Sequence, residues 1–368
     1  MVKYHRKPDF ALLGVTVILI ILGVLILTSI SASLSFERFG SSYYYLKHQF
    51  LVGFLPGIII GFLVFLIPLD FFKRNILFFL LINLFFMGLV FLPKLGVSLG
   101  GASRWIKVGP VFIQPSEFLK ITFLIYLASW LSARALHQKN WKQMLVAFLI
   151  IIGVLGAFLI SQPDVGTLGI IVSVSVLMYF LSDTPIWHSI LIILIGIIAL
   201  VVLVKVAPYR AARILVFLNP DTDPMGMGYQ MKQALISVGS GGISGLGLGM
   251  SRQKFGFLPQ TMSDSIFAIF AEEAGFIGSI ILIFLFLFFC WRGFRIAKAT
   301  DDKFQKILAL GITSWISIQA LINIGSMTGL LPLTGVPLPF ISYGGSHLLT
   351  EFVGVGILLN ISKASYKL

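Results

Sequence analysis

Apolar runs of bilayer-spanning length recur along this whole chain, at about 10–30, 50–69, 76–92, 117–133, 144–161, 165–181, 186–205, 264–291, 307–328 and 346–361. Hydrocarbon offers no water to pair with open backbone, so a run of about 20 apolar residues satisfies its N–H and C=O groups only as a helix. The pattern predicts an all-α polytopic membrane protein of about ten transmembrane helices. Because 58% of the residues are hydrophobic and only 11% are charged, the chain cannot cover a water-facing surface, which excludes a soluble globular fold. Residues 1–368 read as one membrane domain, with a long loop at 206–263 between the seventh and eighth helices. The first run follows Lys3, Arg6 and Lys7 and ends near Ser31-Ala32-Ser33, in the manner of a signal peptide. Its apolar stretch is too long for one and reads as an uncleaved anchor.

Sidedness follows from Lys and Arg in the short loops. With the N-terminus inside, the inner segments hold 15 of the 27 basic residues, the short outer loops six, and the 206–263 stretch and its border the other six. Both termini are therefore expected to be cytoplasmic, with the long loop outside. The net charge of +13 is spread over loops that flank apolar spans instead of gathering on one soluble face, which argues against nucleic acid and for anionic inner-leaflet lipid. A single Cys290 excludes an internal disulfide, and five scattered histidines offer no zinc spacing.

Carboxylates at membrane depth are functional candidates by default. The stretch 258–275 places Asp264 at the mouth of an apolar run and Glu272 and Glu273 inside it. For Asp264 two readings stand side by side: a functional carboxylate, or the end of a Thr261-x-x-Asp264 capping box. At 100° per residue, Glu272 lies about 80° and Glu273 about 180° from Asp264, so the glutamates are assigned mainly to interhelical hydrogen bonds, with Glu272 nearer the cavity. The glycine-rich run 239–249 lacks a preceding strand and a Walker lysine, which argues against a nucleotide; tight turns or close backbone approach explain it better. Pro115 suits a first helical turn, which puts Glu117 and Lys120 on one face as an ion pair or a cavity wall. Asp164 after Gln162-Pro163 reads equally as a helix cap. The Pro- and Gly-bearing segment 337–346, with Ser342 and Tyr343, has the look of a re-entrant loop.

Taken together, Gly100-Gly101-Ala102-Ser103-Arg104-Trp105-Ile106, Gln114-Pro115-Ser116-Glu117-Phe118-Leu119-Lys120, Gln162-Pro163-Asp164-Val165-Gly166-Thr167, Asn219-Pro220-Asp221, the 239–249 run, 264–275 and Ile341-Ser342-Tyr343-Gly344-Gly345-Ser346 resemble the SEDS family (shape, elongation, division and sporulation), to which RodA and FtsW belong. The resemblance covers nearly the whole chain. It implies a ten-helix peptidoglycan glycosyltransferase of the bacterial cytoplasmic membrane. Such an enzyme polymerises lipid II on the outer face beside a class B penicillin-binding protein and other divisome or elongasome membrane proteins. The family's functional aspartate matches Asp264. Where many relatives carry Glu and His, this chain has Gln260 and Met262, which removes an auxiliary acid or relay; the Asp264-Ser265-Ile266-Phe267 variant and the compact length resemble the division branch slightly more than the elongation branch.

The implied reaction needs a base for the acceptor 4-hydroxyl and positive charge for the departing pyrophosphate. Asp264 is the expected base. Arg104, Lys107 and Lys120, with Arg210 and Arg213 from the long loop, are the expected phosphate-side cations; Glu117, Asp164 and Ser342 line the substrate site. A divalent cation, Mg or Mn, on Asp264 or Glu117 is the expected cofactor, and no nucleotide is needed. A lipid II flippase and a noncatalytic division scaffold are the alternatives.

Overall fold

The computed structural model of the protein describes residues 7–92, 95–99, 102–109, 111–134, 141–182 and 184–363. The apolar runs are helices: α1 (Phe10–Phe39), α2 (Tyr44–Gln49) running through a π turn at Phe50–Phe54 into α3 (Leu55–Leu66), α4 (Leu69–Leu89), α5 (Pro115–Arg134), α6 (Trp141–Ser161), α7 (Val165–Phe180), α8 (Ile186–Val206), α9 (Pro208–Leu218), α10 (Met227–Ser240), α11 (Ile266–Lys298), α12 (Lys303–Met327) and α13 (Gly345–Ser362). Among the described residues eight helical segments are long and apolar enough to cross a bilayer, α2–α3 counting as one. The other two expected spans correspond to α5, which opens on Glu117 and Lys120, and to α7, which has 16 residues.

α12 is the axis of the bundle, touching α5, α7, α11 and α13. Its apolar window is 78% buried against 11% for α8, so α8 belongs to the lipid-facing rim. α3 and α13 approach until backbone meets backbone: a Cβ on Gly356 would stand 2.3 Å from the Gly61 carbonyl oxygen. Small residues allow such contact where no hydrophobic force separates helix from lipid. Asp9 caps α1 by accepting from Leu12 N at 2.8 Å, pairs with Arg292 near the end of α11, and accepts nothing from Ser362 Oγ, to which its own N–H donates at 2.9 Å. These contacts gather the start of α1 and the ends of α11 and α13 at one end of the bundle. Asp264 lies at the other.

Two features depart from an all-α fold with an open loop. Between α4 and α5 lies an antiparallel sheet of β1 (Gly96–Leu99), β2 (Ala102–Val108) and β3 (Val111–Ile113), in the order β1-β2-β3 with Gly96 opposite Ile106 and Ile106 opposite Ile113. Trp105, Ile106, Val108 and Val111 suit a pleated, half-covered ribbon, while runs this short leave no helix-length signal.

The expected loop 206–263 instead contains α9, a 3-10 turn at Pro220–Thr222 and α10, followed by an irregular hairpin of turns, residues 241–265, that packs against α11. α11 is broken at Gly275 (φ 66°, ψ −165°), which frees two carbonyls above the break and two N–H groups below it. The glycine run fills that gap. Leu246 N and Gly247 N donate to the Glu272 and Glu273 carbonyls at 3.0 Å each, while Phe276 N and Ile277 N donate to Gly242 O and Ile243 O at 2.9 and 3.1 Å. A Cβ on Gly245 would stand 2.2 Å from Glu273 O, so no larger residue allows this backbone pairing. At 1.5 Å per residue the break lies about 13 Å along α11 from Ile266, where unpaired backbone is costly.

Both glutamate side chains seal the same hairpin. Glu272 accepts from Ser237 Oγ, Ser251 Oγ and Arg252 N, and Glu273 from Ser29 Oγ, Ser251 N and Lys254 Nζ. The bonds from Ser237 of α10 and Ser29 of α1 are interhelical, as expected from sequence, while the other four go to the non-helical residues Ser251, Arg252 and Lys254. The wheel relating them to Asp264 does not apply, because α11 begins at Ile266 and Asp264 belongs to the hairpin.

Candidate active site

Asp264 is presented where the hairpin rises back to the mouth of α11. The capping box is not formed: the N-cap is Ser265, whose side chain makes no cap bond. Asp264 Oδ1 instead accepts from Ser263 Oγ at 3.0 Å. Its position is set through its backbone. Asn323, buried in α12, donates from Nδ2 to both Asp264 O and Val336 O at 2.7 Å, which joins the hairpin to the segment 333–343. Gly335 of that segment lies against the carboxylate, and a Cβ there would be 3.8 Å from Asp264 Oδ2.

Arg213 reaches the same place from α9, its Nη1 donating to Leu333 O at 3.2 Å and Thr334 O at 3.3 Å. Burial lowers the Arg213 pKa, and the positive charge of Arg104 adds to that; Tyr209, Asp264 and Asp164 act in the opposite sense. These charges therefore share one electrostatic environment. Burial likewise raises the Asp264 carboxyl pKa above its ordinary value, opposed by hydrogen bonds to Ser263, its own backbone and Gln230 and by the Arg213 charge. A carboxylate made more basic by burial can accept a proton, and the guanidinium beside it can bind an anion.

Arg104 extends from β2 to the turn before α7. Its Nε donates to Gln162 O at 3.1 Å, its Nη2 bonds Pro163 O, and its Nη1 stands 3.9 Å from Asp164 Oδ1. About a quarter (26%) of the Arg104 side chain is open, against 5% for Asp164. Asp164 is the helix cap considered for it, and it also braces α5 and Arg104. It caps α7 by accepting from Thr167 N, and its Oδ2 accepts from Ser116 Oγ at 2.9 Å while its other oxygen faces Arg104. Gly166, at the start of α7, abuts Thr334 and Val336, so this acid and Arg104 sit beside the segment that carries Gly335.

Other expected residues are placed differently. Lys120 is turned into the bundle, 2% exposed, with Nζ 2.8 Å from Glu117 Oε2, donating to Gln319 Oε1 at 2.9 Å and lying 5.2 Å from the Trp315 ring centroid. Its donors tie α5 to α12 instead of facing a solvent-open phosphate site, and Glu117 is its buried counterion. Arg210 bonds Tyr209 OH and Leu203 O at 2.9 and 3.0 Å, which directs it to α8. Lys107 is exposed on the sheet. Ser342 is fully buried; its Oγ donates to Ser263 O at 2.5 Å and accepts from Leu338 N at 2.8 Å, so it braces the residue beside Asp264.

Asn323, Gln319, Gln230 and Glu351 were not singled out from sequence, although Gln319 and Asn323, four apart on one face of an apolar helix, carry a readable signal. No three His, Cys, Asp or Glu side chains converge as a metal cage among the described residues. Asp264, with the Ser263 hydroxyl beside it, would hold a divalent cation only if most of its ligands came from substrate phosphate and water.

The family model of FtsW, RodA and SpoVE, described as cell cycle protein, matches residues 10–367. Stage V sporulation protein E of Bacillus subtilis (strain 168) is 41% identical over 368 residues, covering 99% of this chain and 100% of that protein. A probable peptidoglycan glycosyltransferase FtsW of Trichlorobacter lovleyi is 36% identical, with 98% and 96% covered. Among solved structures, a chain of a peptidoglycan synthase complex described as coordinating polymerization and crosslinking aligns with TM-score 0.77 and 26% identity over 98% of this chain and 99% of that one. The rod shape determining protein RodA of Thermus thermophilus shares the fold, with TM-score 0.71, 22% identity and 98% of both chains covered.

Proposed function

The chain belongs to the FtsW, RodA and SpoVE family of cell cycle proteins, and from that premise we propose that it is a peptidoglycan glycosyltransferase of the bacterial membrane. It transfers the glycan of one lipid II-linked chain to the 4-hydroxyl of another and releases undecaprenyl pyrophosphate. A class B penicillin-binding protein that crosslinks the product is its partner. Ten spans, cytoplasmic termini, the hairpin side facing outward and a division role are part of the same reading: the apolar runs support the spans, the loop-charge asymmetry the sidedness, and the Asp264-Ser265-Ile266-Phe267 variant with the compact length the division role.

The observation that carries the mechanism is the convergence on segment 333–336: Arg213 bonds the Leu333 and Thr334 carbonyls, Gly335 lies against the Asp264 carboxylate, and Gly166, beside the Arg104–Asp164 pair, abuts Thr334 and Val336. Asp264 takes the proton of the acceptor hydroxyl as its oxygen attacks the anomeric carbon, while Arg213 and the open edge of Arg104 face the negative charge left on pyrophosphate. Asp164 holds Arg104, and Ser342 and Asn323 hold the backbone on either side of the base. A divalent cation, when bound, would add positive charge beside the pyrophosphate.

The broken α11 is the one observation that favours a flippase, since transporters build substrate sites at such breaks. Here the freed backbone is paired with the chain's own glycine run and both glutamates are engaged by the hairpin. Purified chain, with and without its transpeptidase partner, incubated with labelled lipid II and resolved by product length tests the reading. Absence of glycan strands in both mixtures, with lipid II transfer between leaflets of liposomes, would reverse it.

A further inference from the structure

Segment 333–343 touches Asp264 from several directions. Leu333 and Thr334 supply the carbonyls that hold Arg213, Gly335 lies over the carboxylate, Val336 shares Asn323 with Asp264, Ser342 holds Ser263, and Tyr343 N donates to Met262 O at 2.8 Å. In its middle stands a conformation that a large side chain seldom adopts: Phe340 has φ 64°. Such a residue persists only where its surroundings over-determine it.

The surroundings include one fully buried acid that the mechanism above does not use. Glu351 of α13 accepts from Phe340 N through Oε2 at 2.8 Å. Its Oε1 lies 3.4 Å from Gln319 Nε2, which also donates to Pro337 O at 3.1 Å. Both ends of 337–340 are thus hung from one carboxylate, Phe340 directly and Pro337 through Gln319. The Phe340 carbonyl is further pressed onto α1, where a Cβ on Gly23 would stand 2.5 Å from its oxygen.

We propose that Glu351 is a positioning residue of the transferase site: by holding the Phe340 N–H it sets the backbone of 337–340, and through that segment the placement of Asp264 against Arg213. The proposal rests on the reading of Asp264 as base. Its requirement is reach rather than charge. Gln at this position keeps an oxygen at the same distance from Phe340 N, whereas Asp keeps the charge but falls short by one methylene.

The test compares Glu351→Gln and Glu351→Asp in the full chain with its transpeptidase partner, reading kcat and KM for lipid II, thermal stability, and hydrogen exchange over 333–343. Losing a buried hydrogen bond at this point should lower kcat about tenfold in Glu351→Asp. KM and melting temperature should stay near wild type while exchange at 337–343 quickens. Glu351→Gln should keep kcat within about threefold. An Asp variant as active as Gln or better, wild-type kcat in both, or a loss that tracks melting temperature in both would overturn the proposal. Faster exchange with unchanged kcat would also overturn it. Wild-type chain and Asp264→Asn run alongside separate the two ideas: an active Asp264→Asn refutes the base, while the exchange data still report whether Glu351 holds the segment.

Discussion

Asp264→Asn is the substitution whose consequences the structure fixes most narrowly. The side chain accepts from Ser263 Oγ at 3.0 Å, with Gln230 and its own backbone also bonding it, and does not cap α11; an amide oxygen can accept the same bonds, and the backbone is held by Asn323 whatever the side chain is. The change therefore removes basicity and negative charge while leaving the hairpin in place. Loss of a positioned general base costs about 10²- to 10⁴-fold, so kcat for lipid II polymerisation should fall at least about 100-fold.

Stability should move the other way or not at all. Burial raises the folded-state pKa above the ordinary 3.8, so the ionised form carries a penalty that is absent below that value and fully present above the raised one. Wild-type stability from this group thus declines as pH rises through the window. Asn has no such dependence and should melt at or above the wild-type temperature near neutral pH. In activity, the acid limb of the wild-type rate profile should lie above pH 3.8 because the base must be deprotonated. Polymerisation of purified protein in detergent, with melting followed on the same samples, decides the matter. Wild-type turnover in Asp264→Asn would falsify the base assignment, and a lowered melting temperature would show that the carboxylate is structural.

Other outcomes follow from the same geometry. Arg104→Ala and Arg213→Ala should each lower kcat/KM for lipid II about tenfold or more; Arg104→Lys should rescue poorly, since the guanidinium spans Gln162 O and Pro163 O. Wild-type kcat/KM in both alanine variants would remove the cations from the site. Gly275→Ala forces a Cβ to 2.2 Å from Gly245 N at φ 66°, costing about 2–6 kcal/mol; normal membrane abundance and melting would refute the pairing of hairpin with broken helix. In a Cys290-free background, Thr222→Cys should label from outside intact cells and Ser365→Cys only after permeabilisation, and the reverse pattern would invert the topology. Chelation should slow polymerisation, with Mg or Mn restoring it, if a cation is shared with substrate phosphate; full activity in excess chelator would remove it.

Hydropathy made the helices legible because the bilayer leaves a long apolar segment one hydrogen-bonded solution, a local property of each run. Asp264 and Asp164 were legible for a related reason, as charges at the ends of apolar runs, and Arg104 through the family motif at 100–106. The sheet carrying Arg104 was not, since strands of three to seven residues give no periodicity a short window can separate from loop. Arg210 and Arg213, three apart on α9, looked equivalent in sequence; their different neighbours, Leu203 on one side and Leu333 with Thr334 on the other, separate them.

What the sequence determined alone was therefore the solvent, the helices and the identity of the charged residues. The tertiary structure decided what those charges do. Lys120 became a buried tie because Glu117, Gln319 and Trp315 converge on it from α5 and α12, and Glu351 acquired a role only where Phe340 folds back over α13. The glycine run is the sharpest case. A broken helix needs hydrogen-bond partners at hydrocarbon depth, and the residues that supply them, about 30 positions earlier in the chain, are identifiable only once both segments occupy the same space.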